Sequence, residues 1–110
     1  MNIQVEVRNH TARIMLEGRF TYTLRRKFIG AYVPLIKDSD VHSIEIEMNK
    51  VDYLDTSALG MLMLLSDRAN VPHKPVTLLN PSDVVSQFLE LANFSRFFMI
   101  KPTNEVAGNC

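Results

Sequence analysis

Three adjacent side chains hold the chain's best prospect of chemistry: a carboxylate, Asp55, followed by two hydroxyls, Thr56 and Ser57. They stand in Val51-Asp52-Tyr53-Leu54-Asp55-Thr56-Ser57-Ala58-Leu59-Gly60-Met61-Leu62, where a strand gives way to a helix. A helix N-terminus has unpaired amides and a partial positive charge, so Asp55 or Thr56 can cap it. Capping alone would account for these residue types, but two features of the following helix ask for more. At 100° per residue, Ala58, Leu62, Leu65 and Ala69 make one core-facing stripe, with Leu59 and Ser66 alongside. Gly60, Met61, Leu64 and Arg68 are read as facing away, which leaves Met61 and Leu64 as apolar side chains beside the hydroxyl pair. Such a surface suits a partner, or a covering element of the same chain. Gly60 inside a helix also costs about 1 kcal/mol relative to Ala, which implies close approach by a packing element or a partner.

Other chemistries find little support. With only four glycines there is no glycine-rich phosphate loop. His10, His42 and His73 are far apart, no pair has the spacing of a local metal motif, and each reads as a surface or turn histidine. Cys110 is the single cysteine, so it forms no disulfide within the chain. Asp52 and Asp55 could pass for a carboxylate pair, yet three residues apart at a helix start they read equally well as caps. The expectation is a binding protein, not an enzyme, with no cofactor and no metal.

The elements that must position this junction follow from periodicity. Ile3, Val5 and Val7 alternate with polar residues as a half-buried strand, and Asn9-His10 turns the chain. Ala12, Ile14 and Leu16 make a second strand that Gly18 closes, forming a hairpin. Leu24, Phe28, Ala31, Tyr32 and Leu35 mark a helix from about Tyr22, ended or kinked at Val33 by Pro34. Ile44, Ile46 and Met48 alternate as a third strand, and the hydroxyl-headed helix runs from Thr56 to Ala69. Val76 to Leu79 is a buried strand. Asn80-Pro81-Ser82-Asp83 starts a third helix, with Asn80 as cap, Pro81 at the first position and an acid in the first turn. Val85, Phe88, Leu89 and Ala92 are its apolar stripe, and Phe97 to Ile100 a last strand. The fold class is α/β with the order β-β-α-β-α-β-α-β: a mixed, mostly parallel sheet carrying helices, since parallel neighbours need helical crossovers.

Bulk properties narrow the partners. Twelve basic and twelve acidic residues cancel, which argues against nucleic acid. Arg25-Arg26-Lys27 is the densest basic run and reads as a solvated helix face. The longest apolar run, Met61 to Leu65, is far short of the roughly 20 residues that span a bilayer. The N-terminus alternates where a signal peptide would be continuously apolar, so a cytoplasmic location without membrane insertion is expected. In length, 110 residues fit one domain with a real core.

Asp55-Thr56-Ser57-Ala58-Leu59-Gly60 resembles the Asp-Ser-Ser/Thr-Gly-Leu-Gly signature of bacterial anti-sigma factor antagonists, in the STAS family. Gly18-Arg19-Phe20 matches that family's turn after strand two, and Leu79-Asn80-Pro81-Ser82 its fourth strand and third helix start. The resemblance implies a STAS domain over 1–101 and a flexible tail over 102–110. It also implies a partner switch. The unphosphorylated domain binds a serine/threonine kinase that doubles as an anti-sigma-type regulator; phosphorylation weakens the complex and a phosphatase resets it. By position Thr56 is the phosphoacceptor, with Ser57 chemically competent beside it and Asp55 as flanking cap. Gly60, Met61, Leu64 and Thr21 are the expected partner-contacting residues, and the free domain is expected to be monomeric.

Three departures bear on this. The first hydroxyl is Thr where Ser is commoner, Ala58 replaces Gly, and Thr21 stands where many relatives carry Asp. The alternative is a constitutive STAS subunit of a larger signalling or lipid-transport complex, not regulated by phosphate. A lesser one is self-association through Met61 and Leu64.

Overall fold

A computed structural model describes residues 2–96 and 98–101. The expected loose tail with Cys110, and Phe97 of the expected last strand, lie outside the described residues. Five strands and three helices alternate as anticipated: β1 (Asn2–Arg8), β2 (Thr11–Phe20), α1 (Arg25–Lys37), β3 (Ser43–Leu54), α2 (Thr56–Asn70), β4 (Val76–Leu79), α3 (Asp83–Leu91) and β5 (Met99–Lys101). The sheet order is β1-β2-β3-β4-β5, antiparallel between β1 and β2 and parallel thereafter.

Each local signal has a physical counterpart. Asn9 and His10 both take positive φ, 52° and 68°, the requirement of the two-residue turn that matches strand twist in a hairpin. Each of the three crossovers steps one strand the same way across the sheet. With right-handed connections that stacks the helices on one face. Burial agrees: Ala12, Ile14, Leu16, Ile44, Ile46, Met48, Val76 and Leu78 are buried, while the residues between them on β2 and β3 are only half-buried or exposed. On the uncovered face Arg13 donates from Nε and Nη2 to Glu45 at 3.1 and 3.0 Å.

Several expectations need correction. β1 is an edge strand, and of its apolar residues only Ile3 is half-buried. Gly18 does not close β2; at φ 100° it lets the strand continue to Phe20 through an irregular register. Met15–Glu17 advances two residues while its partner β3 advances three, Glu47 to Lys50, and Gly18–Arg19 advances one against two. β3 thus carries two bulges, which is why its buried spacing widens from two residues to three at Val51 and Leu54. A period-two pattern therefore follows the strand only as far as Met48. Pro34 does not end α1, which continues three residues further to Lys37. The amide that Pro34 lacks would have served the Gly30 carbonyl, and both residues are exposed, so that carbonyl is open to solvent. At α3 the cap is Ser82, whose hydroxyl accepts from the Val85 amide at 3.3 Å. Asn80 sits instead at φ 55° and donates its amide to the Glu47 carboxylate at 3.0 and 3.1 Å.

Candidate functional site

The bulges of β3 matter because they lengthen that strand until it delivers Asp55 to the sheet's end, over the start of α2. Phe20 pairs with Leu54, and the Asp55 amide donates to the Phe20 carbonyl at 3.4 Å, so Thr21 leaves the sheet at the same end. Asp55 is extended, φ −113°, and its Oδ1 accepts from the Ala58 amide at 3.0 Å. It is the cap; Thr56 and Ser57 open the helix. Thr21 opens a short 3₁₀ turn, Tyr22–Leu24, and its hydroxyl lies 3.0 Å from that of Thr23.

One helical step separates the two hydroxyls by 100°, and that rotation sends them to opposite flanks of α2. Thr56 is exposed and lines an open cleft of ≈ 610 Å³ between the end of β3, the start of α2 and the side of α3. Tyr53, Val84, Phe88 and Leu91 give that cleft apolar walls. Val84 is 72% exposed and Leu91 84%, so nothing described in the chain covers them. The Arg19 guanidinium sits 4.2 Å above the Tyr53 ring, placing a cation at the margin. Ser57, half-buried, lines a smaller groove of ≈ 270 Å³ between α1 and α2 with Tyr22, Arg25, Tyr32 and Met61. Burial pushes the Tyr32 hydroxyl above its ordinary pKa, with Arg68 and Arg25 pulling it back.

Of the expected contact residues, Met61 requires correction in its exposure. It is 7% exposed and joins the core. Three residues at 100° leave it only about 60° from Ala58, at the margin of the buried stripe, where α1 covers it. Leu64 is half-buried and lines the same groove. Gly60 is exposed, and a Cβ added there would meet nothing within 4 Å. No described element packs on Gly60, so a helix neighbour does not account for it. The walls Val84, Phe88 and Leu91 had a faint signal in sequence: Val84 and Leu91 are apolar residues beyond the four-residue stripe of α3. Among the described residues no cluster of His, Cys, Asp or Glu could hold a metal, and no helix is long and apolar enough to cross a membrane. His10 and His42 nonetheless meet, stacked 4.4 Å apart, with the Asp40 carbonyl 2.9 Å from His10 Nδ1.

The family model described as "Mlab, STAS domain" matches residues 3–101. A STAS-domain containing protein of Pseudomonas aeruginosa (strain UCBPP-PA14) is 33% identical over 87 residues, 79% of this chain and 84% of that protein. Among solved structures, the anti-sigma factor antagonist SpoIIAA in its unphosphorylated form has TM-score 0.78 and 19% identity, covering 98% of this chain and 95% of its own. SpoIIAA of Bacillus in the phosphorylated form has TM-score 0.72 and 18% identity, covering 98% of each chain. At such identities the likeness is one of fold.

Proposed function

The chain belongs to the STAS family, and we propose that it is a phosphorylation-controlled binding switch whose acceptor is Thr56. The observation that carries the reading is an exposed hydroxyl on the first residue of α2, beside an uncovered apolar cleft. A kinase needs the hydroxyl to protrude; a partner needs apolar surface to bury. Thr56 meets both needs. Ser57, half-buried against α1, meets the first poorly. The partner is a serine/threonine kinase acting as an anti-sigma-type regulator, and a phosphatase resets the state. The chain itself performs no chemical step in this scheme, and it works without a cofactor in the cytoplasm.

The physics of the switch is local. A phosphate adds about −1.5 to −2 charges at neutral pH. In the free domain, water and the positive end of α2 accept that charge, so the fold persists. In a complex the charge is desolvated against the partner and repelled by Asp55 close by, so affinity falls. That SpoIIAA has been solved both unphosphorylated and phosphorylated supports the compatibility of this fold with both states.

The test is capture from the native host by immobilised wild type, Thr56→Ala and Thr56→Glu. The expected outcome is a kinase-type regulator retained by the first two and lost by Thr56→Glu. Equal retention by all three would contradict the switch. It would favour the second reading, a constitutive STAS subunit of a larger complex.

A further inference from the structure

Away from the cleft, the outer edge of β1 is open among the described residues. There β1 ends the sheet, paired only with β2, and its seven residues span about 23 Å. Ile3, Val5 and Val7 sit opposite the buried Leu16, Ile14 and Ala12, which places all three on the helix-bearing face. There the helices stop short: Val5 is 44% exposed and Val7 51%. Natural edges are blunted by charged side chains (lysine above all), proline, bulges or covering loops. β1 contains neither proline nor lysine, and its pairing with β2 runs without a register shift. Glu6 and Arg8 point to the other face, where they pair with each other at 3.7 Å.

We propose that β1 pairs with β1 of a second copy of this chain, antiparallel and centred on Val5, joining two sheets into one. The sequence of the strand is self-complementary in this register. Val5 faces Val5, Ile3 faces Val7, Gln4 faces Glu6 and Asn2 faces Arg8. The apolar row becomes continuous across the seam, and no like charges are set directly opposite each other. Centring on Glu6 instead would set two carboxylates opposite each other. Centring between Gln4 and Val5 would turn the second copy over and face Val5 with Gln4. The two-fold axis makes the contact isologous and closed, so it yields a dimer and not a filament. β1 lies two strands from β3, so the Thr56 cleft stays open in the dimer.

The experiment is sedimentation of the full chain from about 1 µM to about 1 mM, a span that reaches weak association. Wild type is expected to pass from monomer to dimer across it. Val5→Lys and Val5→Glu, each setting like charges across the axis, are expected to stay monomeric, and their equimolar mixture to dimerise again. A wild type monomeric throughout, a dimer indifferent to Val5→Lys, or a mixture that remains monomeric would each overturn the proposal. Should either charged variant fail to fold, Val5→Cys in a Cys110→Ser background replaces it. Oxidation is then expected to give a disulfide-linked dimer, and a product that stays monomeric sinks the pairing.

Discussion

Asp55 shows how much one carboxylate can arrange. Its Oδ1 takes the Ala58 amide, which fixes the first turn of α2 and with it the direction of Thr56. Asp55→Ala should lower unfolding free energy by about 1 kcal/mol, whereas Asp55→Asn, which keeps a capping oxygen, should cost much less. Urea denaturation of both variants checks this; equal losses would mean that charge, not capping, is what Asp55 supplies. The cap was legible in the sequence because it depends on neighbours in the chain. The separate fates of Thr56 and Ser57 were not, since they depend on α1 and α3 lying on either flank. Lys74 was equally hidden. Its Nζ donates to the carbonyls of Leu35, Ile36 and Asp38 at 2.9, 2.7 and 2.7 Å, closing α1 from more than thirty residues away. No spacing rule reaches that far.

At the scale of the element, α2 is read correctly along its core stripe and misread at its margins. Ala58, Leu62, Leu65 and Ala69 are all fully buried, as the 100° wheel requires. Met61 lies close to that stripe, and the position of α1 decides its burial. Gly60 carries the sharper consequence. A methyl group there would touch nothing within the described chain, so Gly60→Ala removes backbone entropy at no steric cost. It should stabilise the free domain by up to about 1 kcal/mol, raising the thermal midpoint. If a partner approaches this face, the same substitution should weaken binding. Calorimetry of the two effects together tests the role of the glycine, and a gain in stability with unchanged affinity would remove Gly60 from the interface. β3 offers the complementary lesson. Its first half alternates cleanly, while its bulged second half hides from a period-two reading because register against β2, not local propensity, sets the phase.

For the whole molecule, element order and sheet type were legible because every crossover needed a helix and every helix had its stripe. The exposure of one sheet face and of β1 was not, because an alternating strand looks the same at the edge and at the centre. The architecture separates two surfaces. The middle of the sheet presents the Thr56 cleft, and its edge presents Val5 and Val7. On the proposed reading, a charge added at Thr56 would act on binding without crossing the core, which is what a switch built on a rigid domain requires. Site-localised mass spectrometry of the intact protein from its native host, sampled through growth and stress, tests this most directly. The account predicts a pool phosphorylated on Thr56, with Ser57 unmodified, whose size changes with condition. Protein that is unmodified at Thr56 in every condition would contradict it.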